Sequence, residues 1–123
     1  MSIGSAQEKT LEDILARWKT SVDAHQPDDI AALFTTDAIF QGLHPYGVGR
    51  ADVAEYYESQ PLGMVAHYEI LETRRPAEDL ILGYMRVAFT FTDRQPVNVY
   101  LSLLVEKVAD EWRISHYQVS RLD

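Results

Sequence analysis

Six polar side chains interrupt otherwise apolar segments in the C-terminal half of the chain: His67, Glu69, Tyr84, Arg86, His116 and Gln118. Together they could run proton chemistry. An imidazole exchanges protons near neutral pH, which makes His116 the candidate shuttle and Glu69 its orienting carboxylate. Tyr84 could donate to a developing oxyanion. Arg86 carries a planar fork suited to a carboxylate or an enolate. The same residues also read as a buried hydrogen-bonded network without turnover, with Glu69 paired diagonally to Arg86, because an unpaired buried charge is costly. His67 reads either as a ligand contact or as a satisfied core or rim histidine.

Other candidates for ligand contact lie outside that group. His44 and Tyr46 sit in a Gly- and Pro-rich loop, where turn chemistry and exposure are the simpler account. Trp18 and Phe40 fit pocket walls and ordinary core aromatics equally well. Tyr56 and Tyr57 suit core or lid packing, and Leu101 and Leu103 would line the pocket from the strands together with Gln118 of the first group.

Composition removes several classes of function. The chain has no cysteine, so thiolate catalysis, disulfides and Cys-based zinc sites are excluded. His44, His67 and His116 lack the short spacing of metal ligands, and no phosphate loop, nucleophile elbow or dinucleotide fingerprint occurs. No metal or cofactor is expected. A net charge of −8 disfavours nucleic acid as a partner. The first residues lack a basic segment followed by an apolar stretch, and no apolar run approaches the ~20 residues that span a bilayer. The expectation is a cytoplasmic protein without membrane attachment. Its 123 residues suit a single domain over 1–123.

The elements that must position these residues divide into two halves. Ser5 and Glu8 have capping-box spacing, and Leu11, Ile14, Leu15, Trp18 and Val22 then recur on one helical face. Pro27, followed by Asp28 and Asp29, suits the start of a second helix. A short strand is expected over 38–41, a loop over 42–49 and a third helix over 52–60. Segments 65–73, 80–92, 97–108 and 112–120 are rich in β-branched and aromatic residues and predict a meander of antiparallel strands. Helices packed on one face of such a sheet make an α+β domain.

Turn positions set an expected register. Turns at Asp93-Arg94 and Ala109-Asp110 and a loop over 74–79 pair His67 with Arg86 and Glu69 with Tyr84. They also pair Arg86 with Leu101, Tyr84 with Leu103, Leu101 with Gln118 and Leu103 with His116. One face then carries all six polar residues together with Leu101 and Leu103, and converges on a pocket. The opposite face carries Met85, Val87, Phe89, Tyr100, Tyr117 and Val119. Both faces are too apolar for water, so one meets the helices and the other a second copy of the chain.

The order of elements, the helix entry Gly49-Arg50-Ala51 and the terminal run Trp112-Arg113-Ile114-Ser115 resemble the nuclear transport factor two-like superfamily. The similarity is strongest to its SnoaL-like and ketosteroid-isomerase-like members. That resemblance implies a cone-shaped half-barrel of curved antiparallel sheet covered by three N-terminal helices, a deep pocket, and dimerisation through the outer sheet face. It implies a cofactor-independent cyclase, isomerase or dehydratase acting on an apolar cyclic or polyketide-like metabolite, or else a non-catalytic protein that shelters one. The general-base Asp of the steroid isomerases falls on Gly42 here, and the preceding Glu on Gln41. Their oxyanion-hole Tyr falls in the region of Trp18. A steroid-isomerase mechanism is therefore disfavoured.

Overall fold

The computed structural model describes residues 5–122. Helix α1 spans Ala6–Asp23, and its Ser5 cap accepts from the Glu8 backbone N–H at 3.2 Å. Leu11, Ile14, Leu15, Trp18 and Val22 form its buried face, as their spacing predicts. Pro27 opens α2 (Pro27–Ala31). Strand β1 (Phe34–Gln41) starts earlier than expected, and the two-residue β2 (Gly47–Val48) pairs with it. Helix α3 (Arg50–Glu58) follows Gly49, whose φ of +88° is a conformation that favours glycine. The Arg50 side chain donates to the Phe34 carbonyl at 2.8 Å and ties the helix entry to β1. The long strands are β3 (Val65–Ala77), β4 (Leu80–Thr90), β5 (Val97–Val108) and β6 (Glu111–Arg121).

The six strands form one sheet in the order β2-β1-β6-β5-β4-β3. Two expectations need correction. The sheet is mixed rather than wholly antiparallel, because β1 runs parallel to β6. The third helix is not part of an N-terminal helical run: it follows β1 and β2. Among the described residues no helix is long and apolar enough to cross a membrane.

Helix α1 lies close against the sheet. Leu11 occupies the space where a side chain on Gly83 would stand. Lys19 donates to Asp23 at 2.8 Å and to the Ala66 carbonyl at 2.6 Å, while Asp23 accepts from the Ala66 N–H at 2.9 Å. This clamp joins the end of α1 to β3. The inner sheet face, turned toward the helices, carries Ala66, Ile81, Met85, Val87, Val99, Leu101, Leu103, Val105, Ile114 and Tyr117, all buried.

All three register expectations shift. Strand β3 runs on to Ala77, which pairs with Leu80, and irregularities near Leu71 and Arg75 bring Glu69 opposite Arg86 and His67 opposite Ala88. Strands β4 and β5 end and begin at Thr90 and Val97, since Pro96 has no N–H for a longer ladder. Arg86 therefore faces Tyr100, and Tyr84 faces Ser102. The Ala109-Asp110 turn forms as expected, with φ of +51° and +67°, and pairs Val108 with Glu111. That register holds to Val105–Ile114 and then slips to Leu104–His116. Ser115 is the extra residue of this bulge, and its hydroxyl donates to the Leu104 carbonyl at 3.2 Å.

Candidate functional site

Trp18 enters the core from α1, Tyr57 from α3 and Tyr117 from β6. The Trp18 indole N–H donates to the Tyr57 hydroxyl at 3.1 Å, and the Tyr57 hydroxyl donates to that of Tyr117 at 3.3 Å. Tyr57 reaches the interior because it lies one helical turn after Val53, on the buried side of α3. Tyr117 reaches it because the Ser115 bulge turns the following residues of β6 by one step. The Phe40 ring of β1 stacks on Tyr117 with centroids 4.5 Å apart and meets Tyr56 and Tyr57 edge-on.

Tyr57 and Tyr117 lie at the wall of an apolar cavity of about 40 Å³. Tyr56, Phe89 and Val119 contribute further walls, and Leu43, Gln60, Met64, Phe91 and Val97 complete the lining. Gly63, at φ of +87°, packs against Thr92, so the segment after α3 touches the β4–β5 connection beside the cavity.

A count of hydrogens defines what this cavity can do. Trp18, Tyr57 and Tyr117 bring three N–H and O–H hydrogens, and two bonds join them. One phenol hydrogen stays uncommitted whichever way the hydroxyls rotate. Burial pushes the pKa of both Tyr57 and Tyr117 well above 10.0, with each phenol's neighbours adding to the shift of Tyr117. Tyr56 is also raised, by burial, although the Leu43 N–H that donates to its hydroxyl opposes the shift. The phenols are neutral donors at physiological pH. The lining is apolar apart from phenols and one amide, so the cavity suits a hydrogen-bond acceptor on an apolar body.

A groove of about 300 Å³ lies beside the cavity, lined by Phe40, His44, Tyr46, Asp52, Glu55, Tyr56 and Ser59 among others. Gly42, at the expected position of a catalytic Asp, has no room for one. A Cβ there would stand 2.6 Å from the Tyr56 Cζ.

Comparison with known proteins agrees with this architecture. Residues 5–118 match the model of the SnoaL-like domain. The chain belongs to the SnoaL-like family. Among solved structures, a ketosteroid isomerase-like protein from Erwinia carotovora atroseptica SCRI1043 aligns at 22% identity and a TM-score of 0.83, over 98% of this chain and 99% of that one. A domain with a cystatin-like fold from Nostoc punctiforme PCC 73102 aligns at 16% identity and a TM-score of 0.82, over 96% and 78%. A nuclear transport factor two-like protein from Shewanella oneidensis MR-1 aligns at 15% identity and a TM-score of 0.79, over 91% and 97%. These likenesses establish the nuclear transport factor two-like fold. No curated protein matches the sequence.

In this SnoaL-like domain the six polar strand residues share one face, but it is the outer one, away from the helices and the cavity. Glu69 and Arg86 are direct cross-strand neighbours. Arg86 lies over the Tyr100 ring at 6.0 Å, and Tyr84 stacks on Tyr100 at 5.4 Å. His116 is remote from Glu69, three strands away at roughly 14 Å across the sheet. His67 contacts Thr90, and Gln118 is exposed beside Ser102. Leu101 and Leu103 point the other way, into the core. The expected convergence of all eight on one pocket is thus corrected: two register slips around β5 turned Leu101 and Leu103 inward, and the bulge left His116 and Gln118 outside.

Of the remaining candidates, Tyr56 lines both cavity and groove, while Phe40 and His44 line the groove. Trp18 is buried behind Tyr57 and bonds to it. Sequence reasoning placed Tyr117 on the wrong face. Its signal was present: apolar residues step by two from Trp112 to Ile114, by three to Tyr117, and by two again to Val119. A step of three in a strand marks a bulge.

Proposed function

We propose that this SnoaL-like domain binds an apolar cyclic or polyketide-like metabolite through a carbonyl oxygen, and shelters it. The observation that carries this reading is the Trp18–Tyr57–Tyr117 chain, which ends in one uncommitted phenol hydrogen at an apolar cavity. Both phenol oxygens already have a partner, and the remaining phenol hydrogen gains an acceptor when a carbonyl oxygen binds, a bond with a net worth of ~1 kcal/mol. The lining offers donors and no carboxylate or imidazole, which favours binding over base-catalysed isomerisation. Infrared spectroscopy of bound methyl naphthyl ketone tests the idea. The carbonyl stretch should fall on binding to the wild type and recover in the Tyr57→Phe/Tyr117→Phe double variant, which removes both phenol donors, with binding retained. A ketone that binds with an unshifted carbonyl would sink the carbonyl reading.

A second reading concerns the outer face. Tyr84, Tyr100, Ile39, Leu71, Leu82 and Leu104 give it an apolar character that solvent does not favour, and there is one layer of helices for two such faces. A second copy of the chain, related by two-fold symmetry, would cover it. In that homodimer His116, Glu69, Tyr84 and Arg86 would be enclosed, and any cyclase, isomerase or dehydratase chemistry of this set depends on the enclosure. Sedimentation equilibrium at micromolar concentration should show a dimer, and a monomer would remove the basis for chemistry on this face.

A further inference from the structure

Tyr56 stands between two spaces of different character. On one side is the apolar cavity of about 40 Å³, and on the other the polar groove of about 300 Å³ between the 42–49 loop and α3. The cavity by itself has room for a few heavy atoms, since a single water needs ~10–15 Å³ by a comparable measure. Ligand pockets commonly reach ~300–1,000 Å³. The groove alone just meets the lower end of that range but is polar, so a ligand with an apolar body and a carbonyl needs both spaces.

The ring of Tyr56 is held in place by light restraints. It meets Phe40, Tyr57 and His44 edge-on at 4.8, 5.1 and 5.6 Å, and its hydroxyl takes one hydrogen bond from the Leu43 backbone. It occupies its position because residue 42 lacks a side chain: a Cβ on Gly42 would lie 2.6 Å from both its Cζ and its hydroxyl oxygen. The groove beside it is large enough to receive a phenol ring. Rotation about the Tyr56 side chain would exchange one set of edge contacts for another without breaking the Trp18–Tyr57–Tyr117 chain, in which Tyr56 takes no part.

We infer that Tyr56 is a movable partition, and that cavity and groove form one elongated binding site when its ring swings into the groove. The inference rests on the carbonyl-binding reading above and extends it to a ligand class. The carbonyl end of the ligand meets the Tyr57–Tyr117 pair, and its apolar body replaces the Tyr56 ring. A polar substituent at the far end, such as a hydroxyl, meets His44, Glu55 and Ser59, which line the groove. The ligand is therefore a ring ketone with a polar group remote from the carbonyl, too long for the closed cavity.

The test uses two ketones of different length on the full chain. Acetone, with four heavy atoms, probes the small cavity, and methyl naphthyl ketone needs the joined site. Titrations followed by NMR give both affinities for the wild type, Tyr56→Ala and Gly42→Ala. Removing the partition should tighten the long ketone about tenfold if the open form is about a tenth of the wild-type population, and leave acetone nearly unchanged. Gly42→Ala keeps the ring but pushes it from its seat, so it should shift the long ketone in the same direction. This second variant keeps the idea testable should Tyr56→Ala fail to fold. If the long ketone binds the wild type and neither variant changes its affinity, the partition is wrong while the carbonyl-binding reading stands. If neither ketone binds any form, the carbonyl-binding reading fails and the partition falls with it.

Discussion

The hydroxyl of Tyr57 on α3 donates to that of Tyr117 on β6 across 3.3 Å, which makes one phenol pair the joint between a helix and the last strand. Both side chains are buried, and their raised pKa values tie the joint to pH. In the unfolded chain these phenols ionise near 10.0, whereas in the folded chain they stay protonated to higher pH. Above that pH the unfolded state binds fewer protons than the native state, so stability falls as pH rises. The contribution is fully present below about 10 and is lost as pH climbs through the raised values. Thermal melts should show a constant midpoint from neutral pH to about 9 and a steep decline above 10. Tyr117→Phe should flatten that decline, and an unaltered alkaline slope in this variant would contradict the assignment.

Tyr57→Phe and Tyr117→Phe should each cost ~1 kcal/mol of stability, the usual net worth of a hydrogen bond. Because both remove the same bond, the double variant should cost less than the two singles combined. Urea denaturation of the four proteins measures this coupling. Strict additivity would show that the hydroxyls do not interact.

Gly83→Ala should destabilise the domain by ~1–3 kcal/mol through overpacking, because Leu11 of α1 fills the space the methyl needs. A second substitution, Leu11→Ala, should recover part of the loss in that background although it is damaging alone. Urea midpoints that show no such rescue would mean that α1 does not approach β4 as described.

The Ala109-Asp110 turn holds two non-glycine residues at positive φ, +51° and +67°. Replacing them with Asn and Gly should stabilise the β5–β6 hairpin by ~0.5–2 kcal/mol, since those residues adopt this turn with less strain. The cavity should be unaffected. A lowered melting temperature would argue against the turn.

On the outer face, Tyr84→Glu should disrupt a homodimer. The substitution breaks the stack on Tyr100 and places a charge in the apolar patch, without touching the inner core. Sedimentation velocity should show the species halve in mass while the circular dichroism spectrum is retained. A dimer that survives the change would place the interface elsewhere.

Much of the architecture was legible in residue order because its signals are local. The buried face of α1, the Pro27 start of α2, the limits of β5 and the Ala109-Asp110 turn each follow from a few neighbouring residues. The family resemblance also rested on such local runs. The parallel pairing of β1 with β6 was not legible, because no turn connects those strands and only the folded chain brings Ile39 beside His116.

The site shows the same division more sharply. The sequence by itself determined that ionisable residues alternate along the strands and that Trp18, Tyr56, Tyr57 and Tyr117 are available to a core. Which face each strand turns inward was decided by tertiary structure. Side chains alternate with a period of two, so a single extra residue reverses every assignment beyond it. Pro96 and the Ser115 bulge each supply such a one-residue change, and between them they send Leu101 and Leu103 into the core, Tyr117 to the cavity and His116 to the outer face. Packing selects those slips because the alternative would bury an imidazole and an amide against α1 and leave Tyr117 and Val119 in water.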